Sequence, residues 1–144
     1  MPSIFHYPVT VTADDIDVVG HVNNIRYLQW MQSAALAHSA EQGWPTERYL
    51  QLGQGWVARQ HAIEYLRPAF SGDRIIVRTW IADLKRVTSL RRYRIIRTCA
   101  DSAYSDPETV LAIASTDWAF IQFDTGAPRR IPPEVSEAFE VVAD

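Results

Sequence analysis

Residues 15–31 read Asp-Ile-Asp-Val-Val-Gly-His-Val-Asn-Asn-Ile-Arg-Tyr-Leu-Gln-Trp-Met, and this stretch decides the fold. Gly20 suits a tight turn, because glycine adopts positive φ angles without steric penalty. The Asn pair at positions 23 and 24 is of a type that caps helix N-termini. Apolar residues then recur at three- and four-residue spacing, which is typical of an amphipathic helix. The stretch therefore predicts a tight loop that leads directly into a long helix.

The predicted helix runs from about Asn24 to Gln42 and ends before Gly43 and Pro45, which are typical helix-ending residues. Its apolar stripe contains Ile25, Leu28, Met31 and Ala35, and it is widened by Tyr27, Trp30 and Ala34. At 1.5 Å per residue the helix is roughly 28 Å long, enough to cross a small domain. We therefore expect it to be the central helix of the fold.

Strand-like segments lie on both sides of this helix. Residues 5–11 alternate apolar and polar side chains, and Pro8 indicates an edge strand or a bulge. Four longer segments are rich in β-branched and aromatic residues: Trp56–Leu66, Arg74–Leu84, Val87–Arg97 and Thr109–Phe123. Residues 100–108 predict a loop, and short helices are predicted at Pro45–Leu50 and from Pro132 to about Val142.

These elements predict an α+β fold, a single domain over residues 1–144 in which an antiparallel β-sheet wraps around one long central α-helix. Such a sheet keeps open edges and one uncovered face. Pairing with a second copy of the chain would cover both. We therefore expect a homodimer or a homotetramer.

Composition argues against several classes of protein. The chain has 14 Lys and Arg against 17 Asp and Glu, and its net charge of -3 argues against nonspecific binding of nucleic acid. No apolar run reaches the ~20 residues of a membrane span, and the first residues lack a secretory signal pattern. The lone Cys99 rules out an internal disulfide, suits the cytoplasm and is interpreted as a small buried hydrophobe. His6, His38 and His61 lack metal-ligand spacing, so we expect no metal and interpret them as structural or exposed.

Asp17 is the strongest candidate for a functional residue. The Asn pair can supply the helix cap and Gly20 the turn, so neither role requires Asp17. A helix N-terminus offers unpaired backbone N–H groups and the positive end of the helix dipole. A carboxylate a few residues upstream therefore lies beside a site suited to an oxyanion. This combination predicts acyl-transfer chemistry without serine, cysteine or metal.

The motif D-x-D-x-x-G-H-V-N-N-x-x-Y-L-x-W-M resembles the signature of hotdog-fold acyl-CoA thioesterases of the 4-hydroxybenzoyl-CoA thioesterase type. Residues Ile63–Ala69, followed by Gly72-Asp73, resemble the end of the second strand and its turn in that family. Residues Ala114–Ile121 resemble the last strand. The similarity thus runs through nearly the whole chain in the right order, although the first motif is the specific one.

The resemblance implies roles for four residues of the loop. The family's catalytic carboxylate stands three residues before the glycine, which is Asp17 here, and it attacks the thioester carbonyl or activates a water that does. The backbone N–H at about Asn24 would polarise the carbonyl oxygen. Gly20 would let the loop bring both groups to one acyl carbon. His21 is either a general acid or base, or a residue that orders the loop.

Binding residues are predicted for the acyl group and for the nucleotide of coenzyme A. Asn23, Tyr27, Trp30 and Trp56 are candidates for the acyl pocket, although aromatic residues at helical spacing are more often core. Six basic residues, Lys85, Arg86, Arg91, Arg92, Arg94 and Arg97, crowd one turn and the strand after it. Of these, Lys85, Arg86 and Arg91 are our candidates for contacts with coenzyme A phosphates.

The predicted substrate is an acyl-CoA thioester, with coenzyme A as part of the substrate and no separate cofactor. One alternative is a thioester on acyl carrier protein, whose acidic surface the arginines also suit. A second is a non-catalytic module that binds acyl-CoA. A third is a hotdog dehydratase or hydratase, which is disfavoured because the long helix offers only His38 and Glu41 for that chemistry.

Overall fold

The structure is a computed structural model that describes residues 4–98 and 108–142. Five strands and three helices follow the order β1 (Phe5–Thr10), α1 (Asn24–Glu41), α2 (Thr46–Leu52), β2 (Gln54–Tyr65), β3 (Arg74–Leu84), β4 (Thr88–Thr98), β5 (Glu108–Gln122) and α3 (Pro133–Ser136). A single 3₁₀ turn lies at Ala13–Asp15. The prediction for Cys99 and most of the predicted loop at 100–108 lie outside the described residues.

The strands form one sheet in the order β1-β3-β4-β5-β2, and every neighbouring pair is antiparallel. The predicted α+β architecture, an antiparallel sheet with one long helix, is confirmed. β1 is an edge strand, as Pro8 predicted, and its side chains alternate between half-buried and exposed as expected. β2 forms the other edge of the sheet.

The face of α1 that packs on the sheet contains most of the predicted stripe but not its first residue. Tyr27, Met31 and Ala34 are buried in one cluster with residues of β3, β4 and β5. Ile25, by contrast, is 62% exposed. It stands two residues before Tyr27, which is about 200° around a helix, and so it points away once the Tyr27 ring faces the sheet. The residues predicted to widen the stripe are therefore its centre, and the placement of Ile25 is wrong.

A second hydrophobic cluster lies under α2 and the C-terminal segment. Its buried members are Trp44, Tyr49, Ile81, Phe120, Ile131, Val135 and Phe139. The predicted C-terminal helix is too long, because α3 ends at Ser136. Beyond it the chain becomes extended, Val141 forms a parallel bridge with Ile81, and the Val142 N–H donates to the Ile81 carbonyl at 2.8 Å. The chain therefore buries Phe139 and pairs with Ile81 instead of continuing as a helix.

Within residues 4–98 and 108–142, no helix is both long enough and apolar enough to cross a membrane.

The close approach of α1 to the sheet predicts a specific sensitivity to side-chain size. Ala34 is fully buried, so Ala34→Leu forces three extra carbons into a packed space and should lower the free energy of unfolding by about 1–3 kcal/mol. Ala40→Leu, at an exposed position of the same helix, should change it by less than ~0.5 kcal/mol. Urea titration at one fixed protein concentration measures both; equal effects would contradict the packing described.

Candidate active site

The loop before α1 is fixed at both ends by Asp15. Its carboxylate accepts the Thr12 N–H at 2.9 Å and lies 3.2 Å from Nε of Arg26. Its carbonyl accepts the Asn23 N–H at 2.8 Å. Ile16 and Val22 form an antiparallel bridge between these points. The residues from 17 to 21 are thereby closed into a small loop against the first turn of the helix.

The Asp17 carboxylate organises the tip of this loop. Oδ1 accepts the N–H groups of Val19 at 3.0 Å and His21 at 3.3 Å. The Asp17 backbone donates to the His21 carbonyl at 2.8 Å and accepts from Gly20 at 3.1 Å. The inference that the turn does not need Asp17 is therefore wrong. Within the described residues no donor reaches Oδ2, so one oxygen shapes the loop and the other is free.

Gly20 and Asn23 have the conformations that their residue types predict. Gly20 has φ of 85°, in the left-handed region, with no atom within 4 Å of the place a Cβ would occupy. Backbone conformation, and not space, requires glycine here. Asn23 is the N-cap, and its Oδ1 accepts the Ile25 N–H at 3.0 Å. Asn24 follows as the first helical residue, so it does not share the capping role.

The backbone N–H of Asn24 has no acceptor among the described residues, which is usual for the first residue of a helix. The Asn24 carbonyl is held by the Tyr65 hydroxyl, which donates to it at 3.1 Å. Tyr65 lies at the end of β2, so the sheet fixes the position of the helix start. A free donor, the positive end of the helix dipole and a free carboxylate oxygen thus belong to one loop.

His21 is exposed, and its ring packs edge-on against Phe70 with 5.4 Å between ring centroids. Its backbone N–H and carbonyl, and not its side chain, make the loop hydrogen bonds that the structure describes. Val18 and Val19 at the loop tip are fully and largely exposed, respectively. The free face of the loop is therefore an apolar tip beside a carboxylate.

Of the four predicted acyl-pocket residues, the structure brings only Tyr27 and Trp30 into contact, and it places both in the core. Tyr27 and Trp30 are core residues, 2% and 7% exposed, with ring centroids 5.1 Å apart. Burial raises the pKa of the Tyr27 hydroxyl. Asn23 is exposed at the loop. Trp56 belongs to the second cluster, where its indole N–H donates to the Tyr49 hydroxyl at 3.1 Å, and it lines a cavity beside α2.

The predicted basic surface is divided between solvent and the interior. Lys85 and Arg86 are exposed in the turn between β3 and β4. Arg91 is only 4% exposed, so its placement on a surface that binds phosphates is wrong. β4 alternates, and Arg91 shares the inward face with Ser89 and Tyr93. Alternation along the strand separates Arg91 from Arg92 and Arg94, but the sequence does not show which of the two faces is inward, because apolar residues lie on both.

Arg91 and His38 meet in the interior, and sequence reasoning missed this pair. Arg91 Nη1 donates to His38 Nδ1 at 3.0 Å and to Thr79 Oγ1 at 3.0 Å. Burial first, and the Arg91 charge second, lower the pKa of His38 to about 4. The imidazole is therefore neutral at pH 7 and can accept from the guanidinium. His38 is structural, as expected, and stacks on Phe5 at 5.1 Å.

The other two histidines have simpler surroundings. His6 is exposed on β1, and His61 is half-buried with Nδ1 2.8 Å from Thr116 Oγ1. Across the part of the chain that the structure describes, no three His, Cys, Asp or Glu side chains are grouped so that they could hold a metal ion.

Fold and loop together define a thioesterase-like protein, and comparison of the sequence with family models agrees. Residues 11–139 match the thioesterase-like superfamily, so the chain belongs to that family. Among curated proteins, the acyl-CoA thioesterase YbgC of Haemophilus influenzae is 26% identical over 136 residues, covering 94% of this chain and 93% of that protein. The family predicted from the motif is confirmed. Thioester hydrolysis, the class of reaction predicted for the chain, is confirmed for that family.

Solved structures share the fold. A 4-hydroxybenzoyl-CoA thioesterase mutant, complexed with 4-hydroxybenzoyl-CoA, superposes with a TM-score of 0.85 at 17% identity, over 96% of this chain and all of that one. A 1,4-dihydroxy-2-naphthoyl-CoA thioesterase from Synechocystis gives a TM-score of 0.80 at 23% identity, over 94% of each chain. At these identities the likeness establishes the hotdog fold.

The buried imidazole predicts a loss of stability in acid. The pKa of His38 is about 4 in the folded chain and 6.5 in the unfolded chain, so between these values the unfolded chain binds the extra proton. The contribution of His38 to the free energy of unfolding is therefore at its maximum above pH 6.5, and it declines as the pH falls towards 4. The loss should be about 3 kcal/mol, since each pKa unit corresponds to ~1.4 kcal/mol.

His38→Gln keeps an acceptor for Arg91 and removes the titration, so its stability should fall less steeply than that of the wild type between pH 7 and pH 4. His6→Gln, on the exposed side of β1, is the matched control and should follow the wild type. Urea unfolding at a series of pH values measures the difference. Parallel curves for the wild type and His38→Gln would refute the assignment.

Proposed function

We propose that the protein is an acyl-CoA thioesterase that hydrolyses a thioester to a carboxylic acid and free coenzyme A. Its family and its curated relative support this class of reaction. The observation that carries the proposal is the loop itself, in which the free Oδ2 of Asp17 and the free N–H of Asn24 lie on either side of a glycine turn.

Asp17 supplies the carboxylate of the reaction, either as the nucleophile or as the base for a water molecule. In the second case Oδ2 takes a proton from water, the water oxygen bonds to the acyl carbon, and the carbon–sulfur bond breaks. The thiolate then takes up the proton. The Val19 and His21 N–H groups hold Oδ1, so the carboxylate is oriented before substrate arrives. Gly20 permits that turn.

The Asn24 N–H supplies the oxyanion donor. Negative charge develops on the carbonyl oxygen when the acyl carbon becomes tetrahedral, and a fixed donor at the positive end of α1 stabilises that charge more than it stabilises the ground state. Tyr65 holds the Asn24 carbonyl, so this donor needs no reorganisation during the reaction. His21 is assigned to the loop wall, because its backbone N–H and carbonyl make the hydrogen bonds that close the loop.

A substrate that carries phosphates requires basic groups at the surface, and Lys85 and Arg86 are exposed in one turn. We assign Lys85 and Arg86 to contacts with the nucleotide of coenzyme A. Arg91 is left out of this assignment because it is buried. Coenzyme A belongs to the substrate, and the reaction as proposed requires no further cofactor. The cytoplasmic location expected from the sequence stays a prediction.

A homodimer or homotetramer is part of the proposal because a single chain leaves the site open. β2 is an edge strand of 12 residues whose middle is exposed, and Val18 and Val19 project beside Asp17 with little cover. A second copy paired at this edge would cover the strand and add a wall to the site. Sedimentation at micromolar concentration should show a dimer or tetramer; a monomer that hydrolyses acyl-CoA at full rate would contradict this.

Replacing Asp17 tests the assigned carboxylate. Asp17→Asn keeps an amide oxygen that can accept the Val19 and His21 N–H groups, so the loop should stay folded while the base or nucleophile is lost. We expect kcat to fall by about 100-fold or more. Asp14→Asn, an exposed carboxylate in the same loop, is the matched control and should keep wild-type turnover.

The assay follows release of free thiol with a chromogenic disulfide across short, long and aromatic acyl-CoA substrates. Wild-type turnover by Asp17→Asn would overturn the mechanism. A wild-type protein that hydrolyses acylated carrier protein but not acyl-CoA would move the proposal to that carrier. Tight acyl-CoA binding in calorimetry without any hydrolysis would instead identify a binding module.

The nucleotide contact has its own test. Replacing Lys85 and Arg86 together by Ala should raise KM for acyl-CoA about 5-fold with kcat unchanged, because exposed ion pairs contribute up to ~1 kcal/mol. KM for the matching N-acetylcysteamine thioester, which lacks the nucleotide, should not change. Arg130→Ala, at another exposed position, is the control. An equal rise in KM for both substrates would place the contact elsewhere.

A further inference from the structure

A cavity of about 140 Å³ lies between α1, α2 and the inner face of the sheet. Its walls are mainly apolar and include Ala35, Trp56, Ile81 and Phe139. Leu36 and Leu50 also line it and are 57% and 62% exposed, so the cavity opens to solvent between the two helices. An apolar cavity of roughly 150 Å³ is large enough to bind benzene.

Of the described residues that line this cavity, Arg91 alone is charged. Its Nη1 atom is engaged by His38 and Thr79, both uncharged partners. Within residues 4–98 and 108–142, neither Nε nor Nη2 has a hydrogen-bond acceptor, and no carboxylate lies within ion-pair distance of Arg91. The guanidinium therefore presents two donating nitrogens and a positive charge that no carboxylate among the described residues balances.

An uncompensated buried charge destabilises a fold by several kcal/mol, so buried cations are usually paired. The His38 imidazole is neutral, so it supplies no negative charge to balance the guanidinium of Arg91. Trp118 also lines the cavity, and its buried indole N–H lies near the Tyr93 hydroxyl, which is an uncharged acceptor. Among its described lining residues, the cavity thus offers donors but no acceptor with negative charge.

We propose that this cavity binds a small apolar carboxylate, an aromatic or short aliphatic acid whose carboxylate pairs with Arg91 while its hydrocarbon part fills the space between α1 and α2. A guanidinium binds a carboxylate through two parallel hydrogen bonds, and two nitrogens are free for this. The volume admits a single ring or a short chain but not a long acyl chain.

Within one chain, the cavity is separate from the loop that contains Asp17. The residues of α1 that line it, 35 to 39, follow Asn24 by 11 to 15 positions, which is about 16–22 Å along the helix axis. We therefore assign the carboxylate to a free acid. The same chemical class is the product of the proposed hydrolysis, although binding in the cavity does not depend on that reaction.

Calorimetric titration with benzoate, and with benzyl alcohol as its neutral counterpart, tests the proposal on the wild-type protein. Benzoate should bind at least 10-fold more tightly than benzyl alcohol. In Arg91→Met that preference should disappear, whereas Arg94→Met, which removes an exposed arginine from the same strand, should keep it. Equal affinity of the wild type for the two compounds, or an unchanged preference in Arg91→Met, would overturn the proposal.

Two further measurements locate the ligand and cover a failure of Arg91→Met to fold. In ¹H–¹⁵N spectra of the wild type, benzoate should shift the indole resonances of Trp56 and Trp118 and leave that of Trp30 in place. Ala35→Leu narrows the cavity with Arg91 intact and should weaken benzoate binding at least 10-fold. Shifts at Trp30 alone, or full affinity in a folded Ala35→Leu protein, would place benzoate elsewhere.

A matched pair of substrates identifies the source of the carboxylate. If it is the distal group of an acyl chain, the wild type should prefer glutaryl-CoA over valeryl-CoA, and Arg91→Met should lose that preference. Benzoate binding without such a preference assigns the site to a free acid. Turnover of valeryl-CoA by the wild type reports on the proposed function separately, so failure of one proposal is distinguishable from failure of the other.

Discussion

The packing of α1 against the sheet is the constraint on which the rest of the structure depends. Tyr27, Met31 and Ala34 bury one face of the helix against three strands, and this burial fixes how the helix lies on the sheet. Tyr65 then holds the first carbonyl of the helix from the end of β2. The helix start is thereby tied to both the core and the sheet, so the N–H of Asn24 is a fixed donor and not a fraying terminus.

Two carboxylates of the same loop are used differently. Asp15 is engaged on both its side chain and its carbonyl, and it joins the loop to the helix through Asn23 and Arg26. Asp17 uses one oxygen to shape the turn, and no donor among the described residues reaches the other. A carboxylate that is held by its own loop and still has a free oxygen is well suited to chemistry, because orientation precedes binding.

Much of the fold follows from periodicity, since alternation and helical spacing reflect local backbone geometry. β3 was predicted with its observed limits, and Pro8 correctly indicated an edge strand. The errors arose where distant parts of the chain decide the outcome. Packing of Phe139 and pairing with Ile81 shorten α3, and the register of β4 buries Arg91. Of the site, the motif identified the loop, but the two oxygens of Asp17 could be told apart only by their distances.

The central claim is that one acyl carbonyl fits between Asp17 and Asn24. A crystal structure with an acyl-CoA analogue, in which a methylene group replaces the thioester sulfur, tests it most directly. The account predicts the carbonyl oxygen at about 3 Å from the Asn24 nitrogen and the carbonyl carbon at about 3–3.5 Å from Asp17 Oδ2 or from a water that Oδ2 binds. A carbonyl group bound away from this loop, for example beside Arg91, would contradict it.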